Sequence, residues 1–149
     1  NTKGEVPSDD YVIPLGKAEV KREGDHVTLV SHGKMVLVAL QAAEQLAKEG
    51  IRAEVVDLRT IRPMDVETIT ASVRKTNRCV VVEEGWEVCG VGAQVVDYVQ
   101  RHCFDDLDAP VLRVHQADAP MPYTKSLEKA AKPDVPKTIA AVKSVLYID

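Results

Sequence analysis

Apolar positions along the chain switch between two periods. Compact, valine-rich runs at 27–31 (VTLVS), 53–58 (AEVVDL), 79–83 (CVVVE) and 111–115 (VLRVH) are too short for helices and read as buried strands. A fifth run at 18–22 (AEVKR) is polar and suits a sheet edge, where charge discourages stray pairing. Between the strands the spacing turns helical. Val36, Ala39, Leu40, Ala43 and Ala47 share one face, and Gly50 stands where that helix should end. Asp65, just after Pro63, is placed to cap a second helix that turns Val66, Ile69 and Val73 inward. A third helix is predicted after Gly92, with Val95, Val96 and Val99 on one side. A fourth opens at Asp134 and Pro136 and buries Val135, Ile139, Val142 and Leu146.

Strands alternating with helices predict an α/β class of three layers, helices covering both faces of a largely parallel sheet. At 149 residues one core is expected, with residues 1–10 as a linker or flexible tail and 11–149 as a single domain. Composition narrows the classes. Hydrophobic residues make up 45% and charged residues 28%, a globular balance, and no apolar run is long enough to span a membrane. The polar first ten residues lack the apolar stretch of a signal peptide, so the chain reads as mature and soluble, compatible with excision from something longer. A net charge of -4, with no lysine or arginine run, argues against a nucleic-acid partner. Cys79, Cys89 and Cys103 are odd in number and widely spaced, which disfavours a disulfide framework or zinc site and suits a reducing compartment.

Ligands of open α/β sheets gather beyond the carboxyl ends of the strands. There Ser31, His32 and Gly33 follow one strand and Glu83, Glu84 and Gly85 another, so a histidine and two carboxylates could serve as acid and base in one crevice. A plainer reading is preferred: the glycines make turns, Ser31 or His32 caps a helix, and the glutamates are solvated. GVGA at 90–93 hints at a phosphate cradle, but Val95 stands where a third glycine belongs, and close helix packing explains the glycines equally well. Trp86, assigned to a strand-to-helix loop, is either a core plug or an interface anchor. Arg59 and Arg62 sit on a corner stiffened by Pro63, suited to clamping an anion or, preferably, bracing a neighbouring loop.

AEVVDLRTIRPMDVETI (53–69), VVVEEGWEVCGVGAQ (80–94) and LDAPVLRVHQADAPMPYTKSLE (107–128) resemble the C-terminal domain of the beta subunits of thiamine-diphosphate-dependent pyruvate dehydrogenases, within the transketolase C-terminal family. The likeness runs from about Tyr11 to the end. PMD and PMPY favour this group over the branched-chain 2-oxo acid dehydrogenases, which stay open beside a flavodoxin-like binding module. The resemblance implies a five-stranded mixed sheet in the order 1-3-2-4-5 with strand 1 antiparallel. It also implies an enzyme for oxidative decarboxylation of pyruvate and acetyl transfer to lipoyl groups. That enzyme would be an α2β2 heterotetramer with alpha subunits and a second beta subunit, in the mitochondrial matrix, or the cytoplasm if bacterial. Thiamine diphosphate and magnesium would be held by polypeptide outside these residues, leaving this fragment without catalytic, cofactor or metal residues.

What the resemblance leaves to this stretch is assembly and docking. Asp108, with the carboxylate at the chain's end, would receive basic residues of the subunit-binding domain of dihydrolipoyl acetyltransferase. Asp105, Asp106, Asp108 and Asp149 are the docking candidates, although Asp149 extends past the position where relatives end. The alternative reading of the aspartates is a solvated turn after a helix. Arg59, Arg62, Trp86, Met121 and Tyr123 are the candidates for the heterotetramer interface, the last two on a loop stiffened by Pro120 and Pro122.

Overall fold

The computed structural model describes Glu5, Ser8 and residues 10–148, so most of the expected tail and Asp149 fall outside the described residues. Five strands form one sheet: β1 (Glu19–Arg22), β2 (Val27–Ser31), β3 (Ala53–Asp57), β4 (Cys79–Trp86) and β5 (Leu112–Gln116). Their order is β1-β3-β2-β4-β5, with β1 antiparallel to β3 and the other neighbours parallel. The polar run therefore occupies an edge, as its charge pattern predicts. The opposite edge is β5, so the run at 111–115 is not the buried strand expected: only Val114 and Gln116 of β5 are buried.

Strand alternation divides the core in two. Val27 and Leu29 of β2, with Val80 and Val82 of β4, face α1 (Met35–Lys48) and α5 (Val135–Val145). Val30 and Val81 face the other way, onto α2 (Val66–Thr76) and α3 (Val91–Cys103) through Ile69, Val73, Val95 and Val99. A parallel strand covered on both faces needs such an unbroken apolar run. Buried polar residues interrupt it at Thr28, Ser31, Glu54 and Glu83. Thr28 is fully buried, and its hydroxyl meets Ser72 Oγ and Thr76 Oγ1 at 2.7 Å each, so α2 is pinned to β2 by a satisfied polar cluster.

Helix ends follow the expected chemistry in part. Asp65 caps α2 by accepting from Thr68 N–H at 3.1 Å, and Asp134 caps α5 by accepting from Lys137 N–H at 2.8 Å, with proline in its first turn. Gly50, at φ +81°, lets the chain leave α1 in the left-handed region. Ser31 and His32 do not cap α1: that helix has no side-chain cap, and Ser31 Oγ instead donates to Val82 O at 2.8 Å, tying β2 to β4. α3 starts at Val91, ahead of Gly92. Two short elements escaped the periodicity, α4 (Lys125–Ala131) and the 3-10 turn Phe104–Asp106.

Candidate functional site: the two edges of the sheet

Parallel strands give the sheet a carboxyl edge and an amino edge, and the candidate residues separate onto them. At the carboxyl edge β4 runs on through Trp86, which pairs with Gln116 after a register shift. Trp86 is thus the last residue of a strand rather than part of a loop. Trp86 is 52% exposed, and around the same edge lie Ile61, Val88, Met121 and Tyr123, all exposed. Large apolar side chains gathered at one edge are what an interface presents, since scattered single ones would need no explanation.

Beneath that surface the structure corrects the expectation of solvated glutamates. Glu83 is buried, and Arg113 reaches across from β5 to bond it at 2.7 Å. The other carboxylate oxygen accepts from Gly92 N–H at 2.9 Å, at the start of α3. The glycines of GVGA follow from this. A Cβ on Gly90 would stand 2.8 Å from Glu83 Oε1 and 2.9 Å from Arg113 Nη2, and one on Gly92 would stand 2.9 Å from Arg113 Nε. A phosphate has no place in this turn, because the Glu83 carboxylate already takes the Gly92 N–H. Glu84 pairs with Lys132 at 3.2 Å.

His32, Glu83, Glu84, Trp86, Gln116 and Met121 do line one crevice of about 530 Å³. Glu83 is neutralised there by Arg113, and no hydrogen bond joins His32 to either glutamate, so the crevice lacks an acid–base pair in contact. A second crevice of about 750 Å³ is lined by Arg62, Met64, Gly90 and Tyr98 among others. Arg59 is mostly covered: it bonds Glu19 of β1 and donates to Tyr11 Oη at 3.1 Å, a brace between the β3–α2 corner and the edge strand. Arg62 is exposed at the same corner.

Asp65 adds a second tie at this edge. Beyond capping α2 it accepts from Ala18 N–H at 3.0 Å, fixing the entry to β1. Burial works to raise its pKa, but the hydrogen bonds from Ala18 and Thr68, helped by the Lys17 charge, outweigh burial and hold the carboxyl below its ordinary range.

The amino edge carries the acidic turn, with Phe104, Tyr147 and Ile148 exposed beside it. Asp105 and Asp106 lie in the 3-10 turn and Asp108 two residues on. Asp106 pairs with Arg74 at 3.3 Å and Asp108 with Arg78 at 2.9 Å, while Asp105 is exposed and has no ion pair among the described residues. The turn is held by its backbone: Asp108 N–H donates to Asn77 O at 2.9 Å and Asn77 Nδ2 to Asp106 O at 2.7 Å. α5 ends here too, its Val145 carbonyl accepting from Arg78 Nε at 3.1 Å and Tyr147 Oη donating to Asp108 O at 3.4 Å. The last described residues therefore flank the acidic turn.

Two of the three thiols are core filling. Burial, helped by Cys103, pushes the Cys79 thiol up to about 12, and burial raises Cys103 as well, which leaves both inert as nucleophiles. Cys89 is exposed, beside Trp86 on the carboxyl edge. Among the described residues no cluster of three metal-ligating side chains occurs, and no helix is long and apolar enough to cross a membrane.

The profile of the family described as Transketolase, C-terminal domain, matches residues 16–138. The chain belongs to the transketolase C-terminal domain family. It is 50% identical over 145 residues to the Caenorhabditis elegans pyruvate dehydrogenase E1 component subunit beta, mitochondrial, covering 97% of this chain and 41% of that protein. The human protein of the same name is 50% identical, with 97% and 40% covered. The chain thus spans about two-fifths of the length of these curated relatives. A solved structure described as a split-gene transketolase in an inactive beta4 tetramer superposes with a TM-score of 0.82 at 32% identity, over 97% of this chain and 46% of that one. A 2-oxoglutarate:ferredoxin oxidoreductase from Magnetococcus marinus shares the fold, with a TM-score of 0.59 at 13% identity over 87% of this chain and 19% of that one.

Proposed function

We propose that this chain is the assembly and docking domain of a pyruvate dehydrogenase beta subunit, serving oxidative decarboxylation of pyruvate in mitochondria. Half-identity to those subunits across nearly the whole chain carries the reading, and the relatives' mitochondrial names support the compartment. In the whole enzyme thiamine diphosphate and magnesium supply the decarboxylation chemistry. The residues here do not fit them: the glycine turn is taken by Glu83, and metal-ligating side chains are dispersed among the described residues.

The two edges suggest a division of labour. The carboxyl edge, with Trp86, Met121, Tyr123 and the Arg59–Arg62 corner, contacts the alpha subunit and a second beta subunit of an α2β2 heterotetramer. The amino edge, with Asp105, Asp106 and Asp108, receives a basic module, the subunit-binding domain of dihydrolipoyl acetyltransferase, and Asp149, outside the described residues, is the fourth docking candidate. Asp106 and Asp108 already hold Arg74 and Arg78, so an incoming cation shares their carboxylates, and Asp105 is the open charge. Such contacts guide encounter and weaken with salt.

A pull-down of the acetyltransferase's subunit-binding domain at low and high salt tests the docking. Capture by wild type should fall as salt rises and fall again in Asp108→Ala. Salt-independent capture that the variant retains would remove the assignment.

A further inference from the structure

A buried ion pair directly under an exposed tryptophan is an expensive arrangement, since charges withdrawn from water are costly even when paired. Glu83 and Arg113 make that pair, and Arg113 does more than neutralise Glu83. One arm of its guanidinium donates to Glu87 O at 2.7 Å. The other reaches Glu83 Oε1 at 2.7 Å and Trp86 O at 3.3 Å. Glu83 in turn holds Gly92 N–H, where the chain re-enters α3. Both ends of the segment 86–92 are therefore gripped from below by one fork and one carboxylate, while the side chains of Trp86, Val88 and Cys89 are exposed.

We infer that Glu83 and Arg113 are positioning residues that lock the Trp86–Cys89 segment into one shape ready for the alpha subunit. This inference rests on the interface reading given above and adds a cause for it: the pair holds the anchor in its bound shape before contact. A rigid anchor loses less freedom on binding than a loose one. Glycine at positions 90 and 92 is part of the same device, because a side chain at either would displace the guanidinium. Lysine at 113 would keep the charge but not the fork, so it would satisfy Glu83 while releasing the carbonyls of Trp86 and Glu87.

Trp86 is the only tryptophan in the chain, so its fluorescence reports this segment alone. The test compares wild type, Arg113→Lys and the neutral double variant Glu83→Gln/Arg113→Met by time-resolved indole anisotropy and by affinity for the alpha subunit. The double variant leaves no buried charge unpaired, which keeps a folded reference if the single change does not fold. Folded variants should show faster indole motion and association weakened by about tenfold or more, with far-ultraviolet dichroism unchanged. Wild-type anisotropy in both variants, or faster motion with undiminished affinity, would overturn the inference. Failure of the interface reading shows separately, as equal association of wild type and Trp86→Ala, and the anisotropy comparison then still decides whether the pair orders the segment.

Discussion

The two edges of the sheet handle charge in opposite ways. In the acidic turn at the amino edge, carboxylates lie on the surface and are met by arginines that also lie near it, Arg74 to Asp106 and Arg78 to Asp108, although Glu54 of β3 is buried and pairs with Lys75. At the carboxyl edge the Glu83–Arg113 pair is sunk beneath the surface, and Trp86, Val88, Met121 and Tyr123 face outward. Exposed pairs contribute little to stability but remain able to exchange partners, whereas a buried pair fixes geometry. One edge is therefore suited to reversible, salt-sensitive contact and the other to a shaped, dehydrated one.

Perturbing each edge should separate them, and the largest effect belongs to the buried pair. Arg113→Met leaves Glu83 without its cation and should cost about 3–5 kcal/mol in urea unfolding. A cost below about 1 kcal/mol would mean that water reaches Glu83 and that the edges do not differ as described. Next comes Trp86→Ala. Its side chain is half exposed, so unfolding should change by under about 1 kcal/mol, while association with a partner subunit weakens by about 2 kcal/mol or more, read by sedimentation.

Asp65→Ala removes the α2 cap and the tie to Ala18, and should cost about 1–2 kcal/mol at neutral pH. Because the folded carboxyl titrates below its unfolded value, this stabilisation is present above the unfolded pKa and is lost as pH falls through the folded one. The gap between wild type and variant should therefore close below about pH 4. A gap that persists in acid would show that the loss is steric. The smallest effect is expected at the amino edge, where Asp106→Ala breaks an exposed pair with Arg74 and should change unfolding by about 0–1 kcal/mol. Thiol labelling sharpens the contrast without mutation: native chain should react at Cys89 alone, and partner binding at the carboxyl edge should slow that reaction.

The carboxyl-edge anatomy was only partly legible in the residues. Valine runs and the i, i+3, i+4 pattern marked the strands and the long helices because burial on both faces leaves a period in the sequence. Polar residues in the core leave none. Glu83 and Arg113 stand thirty residues apart in the chain, and only the β4–β5 pairing brings them together, so the glutamate read as solvated. The same polar stretch, Glu83 to Gly85, made β4 look as though it ended before Trp86. α4 escaped because KSLEKAA offers one large apolar residue, Leu127, and that residue is exposed. The burial of Thr28 was legible in the VTLVS run, but not the hydroxyls of Ser72 and Thr76 that satisfy it. The strand order and the antiparallel edge strand came from resemblance, since periodicity does not say which strands are neighbours. The acidic turn was legible as charge, but not that Arg74 and Arg78 already engage it.

A double dissociation puts the account at greatest risk. Wild type, Trp86→Ala and Asp108→Ala would each be titrated with the pyruvate dehydrogenase alpha subunit and, separately, with the acetyltransferase's subunit-binding domain, with affinities read by sedimentation velocity. The tryptophan variant should lose the first partner and keep the second, and the aspartate variant should do the reverse. If both variants lose both partners alike, or neither loses either, the division of labour between the two edges is wrong.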